Sequence, residues 1–274
     1  MLFVGNLSYT NRLNEQKMIE ETIDAFHQGQ FCLVQPLTRG HRSGMDAMIL
    51  ASLVNAKGSF QLADLGSGAG AAGLAVASRL SKAQILLVER SQLMANYARK
   101  TLALPINAAI SKRVSVAEVD VTLSGKNRIL AGLANNFYDH VIMNPPFNER
   151  VGSLTPDKVK EEAHVMLDDS FEKWIRTACA IMQSNGQLSL IARPQSLVQI
   201  INACEKRIGS LEVIPLYPRE GECSTRILVT GIKGMRGKLI LRHPIFLHEP
   251  KSSSYSHYVN DLINGNTSIK RLGK

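Results

Sequence analysis

From residue 60 onward the chain alternates short apolar runs with longer stretches of helical period. Apolar runs at 60–65, 84–89, 114–119, 138–143 and 186–192 have strand length. Between them, residues 70–81, 91–104 and 166–184 place apolar side chains at helical spacing, and a weaker helical stretch lies inside 122–136. Strands alternating with helices predict crossover connections and a mainly parallel sheet covered on both faces. A helix near 194–208 follows, then strands near 210–216 and 223–232, close enough to form a hairpin, and an edge strand at 238–246. Upstream, Met18, Ile19, Thr22, Ile23 and Phe26 are spaced for one face of a short amphipathic helix. Phe31 to Val34 reads as a short strand, and Met45 to Val54 as a helix with an apolar body. The pattern predicts an α/β fold, a doubly wound and mainly parallel seven-stranded sheet. It divides the chain into an N-terminal extension (1–58: helix, short strand, helix), a main domain (59–247) and a C-terminal segment (248–274).

Composition supports a folded chain. Hydrophobic residues make up 45% and charged residues 20% of 274, enough for a sizeable core and against wholesale disorder. No run approaches the ~18–20 apolar residues of a membrane-spanning helix. The opening Met1-Leu2-Phe3-Val4-Gly5-Asn6-Leu7 lacks the basic leader and apolar length of a secretory signal, so a cytoplasmic protein without membrane contact is expected. Cys32, Cys179, Cys204 and Cys223 form no Cys-x-x-Cys pair, which fits reduced thiols and argues against a zinc cluster or redox dithiol. The seven histidines show no metal-ligand spacing, so no metal is expected. The net charge of +9 is concentrated: residues 190–274 hold thirteen Lys/Arg against six Asp/Glu, or +7. Such a field favours polyanionic partners, although a solvated basic face would show the same count.

Candidate chemistry begins where the first strand of the alternating series ends. Asp64-Leu65 runs into Gly66-Ser67-Gly68-Ala69-Gly70, and an alanine-rich helix follows at once. Glycines let the backbone turn sharply and approach a ligand, and the helix start offers unpaired N–H groups to an anion. Read as Gly68-x-Gly70-x-x-Gly73, the same residues also match a dinucleotide fingerprint, so this motif alone is ambiguous. Glu89 closes the second strand, where a carboxylate accepts hydrogen bonds from both ribose hydroxyls. Asp120 closes the third, suited to an adenine amine, and Asp64 stands where it orients the loop or meets a ligand ammonium. Over roughly residues 60–232 this arrangement resembles the class I S-adenosylmethionine-dependent methyltransferases, with their Rossmann-like sheet. The resemblance implies that S-adenosylmethionine is the cofactor and S-adenosylhomocysteine the product. It implies further that the loop holds the methionine part, Glu89 the ribose and Asp120 the adenine.

After the fourth strand comes Asn144-Pro145-Pro146-Phe147. Two prolines fix two φ angles and remove two N–H donors, and a residue before proline is held near extended geometry. The result is a stiff loop offering an amide side chain and a carbonyl, with an aromatic ring beside them. An amine conjugated to a ring is a poor nucleophile, and acceptors on both its N–H groups favour charge build-up on nitrogen in the transition state. Asn144 and the Pro145 carbonyl are those acceptors, and Phe147 is placed to stack on a base. In-line attack on the methyl sulfonium then needs positioning and no metal. The motif resembles the Asn-Pro-Pro-aromatic signature of methyltransferases acting on amino groups of adenine, guanine or glutamine.

The residues Gly29-Gln30-Phe31-Cys32-Leu33-Val34-Gln35-Pro36, then Gly40-His41-Arg42-Ser43-Gly44-Met45-Asp46-Ala47, narrow the choice. With Ile191-Ala192-Arg193, they resemble the family that methylates the adenine exocyclic amine beside the anticodon of a valine transfer RNA. By that resemblance, which covers most of residues 26–247, Gly44 and Asp46 lie near the cofactor and transfer RNA is the partner. The chain departs from that family's pattern in the alanine-rich Ala71-Ala72-Gly73.

The long stretch from Asn148 to His164 beside this motif reads as a lid over a flipped base or as accessible filler. Arg193, Arg219 and Arg226, at or near the ends of late strands, are candidates for phosphate contact, each also readable as a surface charge. Trp174 reads as helix packing. Three other readings stay open: another amine (guanine-N2 of ribosomal RNA or a release-factor glutamine), a nicotinamide-dependent oxidoreductase, and a non-catalytic RNA-binding module. The sequence leaves the oligomeric state and the role of residues 248–274 open.

Overall fold

The computed structural model describes residues 21–37, 43–146 and 170–272. A two-stranded antiparallel ribbon, β1 (Glu21–Phe26) and β2 (Phe31–Pro36), leads into α1 (Met45–Ser52). The alternating part then runs β3 (Phe60–Leu65), α2 (Ala71–Arg79), β4 (Ala83–Glu89), α3 (Gln92–Ala103), α4 (Ala108–Ser111), β5 (Val114–Glu118), α5 (Gly125–Leu130) and β6 (Tyr138–Met143). It continues with α6 (Ser170–Ile181), β7 (Met182–Ala192), α7 (Leu197–Cys204), β8 (Ile208–Tyr217) and β9 (Arg226–Lys233). Two-residue strands β10 (Ile240–Leu241) and β11 (Ile245–Phe246) and the helix α8 (His257–Ile263) follow.

The sheet order is β10-β8-β9-β7-β6-β3-β4-β5, with β11 also pairing to β8. Only β9 runs against its neighbours, β7 and β8. Seven long strands, β3 to β9, form the expected doubly wound sheet, and the edge strand expected at 238–246 is two short pieces. The chain winds outward from β3 through β4 to β5, then returns to the other side of β3 with β6. A crevice for ligands therefore opens at the carboxyl ends of β3 and β6, where the winding reverses.

One core cluster packs α1, α2 and α8 on one face, with Leu50, Leu74, Leu228 and Leu262 almost fully buried. The other packs α6 and α7 on the opposite face around Val141, Met143, Ile175 and Ile200. Helix α2 lies so close to β4 that a Cβ on Gly73 would come within 2.4 Å of Leu87 Cδ2, which is why an alanine- and glycine-rich sequence stands there.

Residues 21–26, expected on an amphipathic helix, are strand. Their register runs from Glu21 opposite Pro36 to Phe26 opposite Phe31, and the two phenylalanine rings stack at 5.6 Å. Thr22, Asp24 and Phe26 face inward at strand period, Asp24 accepting from Gln35 Nε2 at 2.8 Å, whereas Ile23 is 63% exposed. Pairing across the turn overrode the helical spacing. Residues 248–272, of open role in the sequence, return to the core: Ile269 N–H donates to Ser52 O at 3.0 Å and Val259 and Leu262 are buried.

Candidate active site

The glycine turn is held by its neighbour strand. Val88 O accepts from both Gly66 N (2.8 Å) and Ser67 N (3.0 Å), and Gly70 N closes the turn on Ser67 O (2.8 Å). Gly66, Gly68 and Gly70 have φ of +71°, +56° and +93°, the left-handed region that side chains disfavour. Glu89, at the end of β4, ties two elements together. Its Oε2 accepts from Gly68 N at 2.9 Å and its Oε1 from Ser91 N at 2.8 Å, and Ser91 caps α3. A carboxylate has about four lone-pair sites, so both oxygens keep capacity for a ligand hydroxyl. Ser67 Oγ is buried with no partner among the described residues. A Cβ on Gly68 would meet only Met94 Cε, at 3.7 Å, so there is room beside the loop.

Asp64 stands beneath the turn, 2% exposed, its Oδ2 accepting from Gly73 N at 2.9 Å in the first turn of α2. Burial pushes its carboxyl up from 3.8 to about 7; the Glu89 charge adds to the rise and the Gly73 N–H opposes it. A carboxyl whose folded pKa is raised holds its proton in the folded state after the unfolded chain has lost it. Its contribution to stability is therefore present below pH ~4 and lost as pH rises toward about 7. Asp64→Asn has no such proton to lose. The melting temperature of wild type relative to this variant is expected to fall from pH 5 to 7 and then level off; parallel curves in both proteins would remove Asp64 as the cause.

Asp120, two residues beyond β5, uses Oδ1 to accept from Thr122 N (2.7 Å) and Thr122 Oγ1 (2.8 Å). The backbone joins it to the rest through Val119 N, which donates to Glu89 O at 3.0 Å. Strands β3 and β6 stay in register to Leu65 and Met143, so Gly66 and Asn144 leave the sheet side by side. Asn144 Oδ1 is buried with no partner among the described residues. Pro145 and Pro146 follow outside any helix or strand. Phe147 and the stretch from Asn148 to His164 lie outside the described residues.

Asp64, Gly66, Ser67, Gly68, Gly70, Glu89 and Asn144 are thus gathered at the crevice, with Asp120 beside them. The other expected site residues are placed differently. Gly44 precedes α1 and lines a shallow cleft with Phe26, Met48 and Tyr255. Asp46, in the first turn of α1, pairs with Arg226 Nε at 2.8 Å. Arg219 donates to Ser252 O (2.7 Å) and pairs with Glu222 (3.3 Å), fastening the C-terminal segment. Arg193 follows the carboxyl end of β7, half-buried; its carbonyl accepts from Ser196 N at 3.0 Å, and its side chain makes no hydrogen bond or ion pair to another described residue. Sequence reasoning passed over Ser91, although a serine two residues past a strand-ending acid is an N-cap signal. It also passed over the contact of Trp174 with Gly66, which the folded chain alone creates.

Among the described residues no group of three or more His, Cys, Asp or Glu side chains is placed to hold a metal ion, and no helix is long and apolar enough to cross a membrane.

Comparison with known proteins identifies the arrangement. Residues 43–215 match the methyltransferase small domain family. The tRNA1(Val) (adenine(37)-N6)-methyltransferases of Shewanella sp. and Shewanella putrefaciens are 26% identical over 199 residues, 71% of this chain and 79% of theirs. The crystal structure of a predicted O-methyltransferase from Agrobacterium tumefaciens is 50% identical with a TM-score of 0.73, covering 82% of this chain and 99% of that one. M. jannaschii TYW2 in complex with AdoMet shares the fold at 12% identity, TM-score 0.52, covering 78% of this chain and 85% of that one. The cofactor is S-adenosylmethionine, and the open polar groups of the crevice (Ser67 Oγ and the remaining lone pairs of Glu89), with the space beside Gly68, fit it. The chain belongs to the methyltransferase small domain family and is an S-adenosylmethionine-dependent methyltransferase.

Proposed function

We propose that this methyltransferase acts on the exocyclic amine of adenine in transfer RNA, forming N6-methyladenosine. The observation that carries the reading is Asn144 Oδ1, a buried acceptor with no partner among the described residues, beside the glycine loop. A buried acceptor left unmet costs about 1–3 kcal/mol, which a substrate N–H would recover. Asn144 and the Pro145 carbonyl orient the amine and favour positive charge on its nitrogen, and Pro145 and Pro146 bring no competing N–H. S-adenosylmethionine supplies, when bound, a methyl group on a positively charged sulfur. In this reading Gly66, Ser67, Gly68 and Gly70 hold its methionine part, Asp64 fixes the loop to α2, Glu89 binds the ribose and Asp120 the adenine.

The amide of Asn144 also bears on the O-methyltransferase name of the A. tumefaciens relative. A hydroxyl must lose its proton to a base as it attacks, and an amide oxygen is too weak a base for that role. An aromatic amine needs only orientation before attack, which an amide supplies. Adenine in transfer RNA is supported by the Shewanella relatives and by Arg193, a cation beyond the strand next to Asn144 with no ion pair among the described residues. Arg226 and Arg219, engaged within the fold, leave Arg193 as the phosphate contact.

Labelled S-adenosylmethionine with unmodified total transfer RNA, digested to nucleosides, tests the reading. Label in N6-methyladenosine is expected. Label in methylguanosine would keep the role of Asn144 and change the base. An unlabelled RNA pool with cofactor bound would overturn the transfer-RNA assignment and turn the search to release-factor glutamine. Arg193→Ala is expected to weaken RNA binding and to lower the slope of affinity against salt by about one charge, with S-adenosylhomocysteine binding unchanged.

A further inference from the structure

We propose that Trp174, the chain's single tryptophan, is a positioning residue that sets the cofactor loop in place. Its ring reaches from α6 to the backbone of the glycine turn: a Cβ on Gly66 would stand 2.4 Å from Trp174 Cη2 and 2.8 Å from Cζ3. No side chain other than hydrogen fits there, so the outer edge of the indole is the surface on which Gly66 rests. Trp174 is 9% exposed and shares its core cluster with Leu65 and Met143, the last residues of β3 and β6. Gly66 and Asn144 follow those two residues, so the indole lies beneath the point where the loop and the Asn-Pro-Pro segment part.

A ring that served only as core filler would touch strand and helix side chains. This one also meets loop backbone in a left-handed turn, φ +71°, whose N–H is already spent on Val88 O. The turn is thereby fixed from two sides, by β4 through a hydrogen bond and by α6 through an aromatic edge. Fixing a binding loop in advance lowers the ordering cost of binding, so removing the ring loosens cofactor affinity even in a protein that still folds. The inference depends on the family's cofactor and is independent of which amine is methylated.

Intrinsic fluorescence gives the first test, on the unaltered protein. Titration with S-adenosylhomocysteine is expected to leave the emission maximum nearly in place at the concentration where calorimetry shows binding, because ring and loop are already set. A large saturable shift, the mark of a loop that reorders around the ring on binding, would overturn the proposal. Trp174→Ala is expected to raise the S-adenosylhomocysteine Kd roughly three- to tenfold, and Trp174→Phe, which keeps an aromatic edge, to restore most of it. A folded Trp174→Ala protein with wild-type Kd would show that the ring is filler. If that variant fails to fold, Gly66→Ala compared in the wild-type and Trp174→Phe backgrounds decides. The loss of affinity is expected to be smaller beside the smaller ring, and equal losses would count against the contact.

Discussion

Asn144→Ala is expected to lower methyl transfer about 10²–10³-fold, the scale seen when one preorganised transition-state hydrogen bond is removed from an active site. Binding of S-adenosylhomocysteine is expected to stay within a few-fold. The separation follows from where the residue sits. The hydrogen bonds of the glycine turn, to Val88 O, Ser67 O and Glu89, involve no atom of Asn144. The Asn144 side-chain oxygen has no partner among the described residues, so its loss breaks no described hydrogen bond of the resting protein. Removing an unmet buried acceptor also relieves its desolvation cost, so stability is expected to hold or rise slightly, and the effect to fall on the chemical step. Asn144→Asp sharpens the test. It keeps the acceptor oxygen and replaces the amide nitrogen with a second one, but adds a charge in a half-buried position beside Asp64 and Glu89, so it is expected to recover part of the activity at most. Single-turnover rates with bound RNA, measured beside calorimetric cofactor affinity, check both variants. A full-rate Asn144→Ala enzyme would remove the amine-orienting role and reopen the O-methyl reading.

The chemistry-bearing loops were legible in the sequence because each is local. A strand followed by three glycines and a helix has one backbone solution, and Asp64, Glu89 and Asn144 each end or follow a strand of readable period. Once the strands are parallel, those residues must meet on one edge. What the sequence hid was decided by pairing between segments. Thr22, Ile23 and Phe26 fit a helix by spacing, yet pairing with Phe31–Pro36 made them strand, and no local signal weighs that pairing. The basic excess after residue 190 suggested an RNA face, but much of it is spent inside the fold. Arg207 pairs with Glu172, Arg219 holds Ser252 O, Arg226 meets Asp46, and Arg242 and Arg271 meet Glu212. Charge counted along a chain cannot separate a cation that faces solvent from one that fastens a tail.

Glu212 shows what those fastened cations do, and its removal is expected to be the largest stability loss in the protein. The residue lies on β8, fully buried, in register with Ile240 on one side and Thr230 on the other. Its Oε2 meets Arg242 Nη1 at 3.1 Å and its Oε1 meets Arg271 Nη2 at 3.4 Å, while Leu272 N donates to both oxygens at 3.1 and 3.2 Å. The two guanidiniums also bond Lys270 O and Ser210 O, so one buried carboxylate gathers the last described residues against the sheet. Glu212→Ala leaves two guanidiniums, each about four-fifths buried, facing each other without a counter-charge. Removing one partner of a buried pair costs about 3–5 kcal/mol, on the order of 10 °C in melting temperature for a domain of this size. The same tail braces α1, since Ile269 N donates to Ser52 O at the end of that helix. Glu212→Gln keeps an acceptor and the volume but lacks the charge, and is expected to fall between wild type and Glu212→Ala. Changing Glu212, Arg242 and Arg271 together to apolar residues of similar size is expected to recover most of the loss, because the cost lies in the unpaired charges and not in the absence of the pair. Urea unfolding of the four proteins decides it. A triple variant no more stable than Glu212→Ala would mean that the hydrogen bonds to Leu272, Lys270 and Ser210, more than the charges, hold the tail.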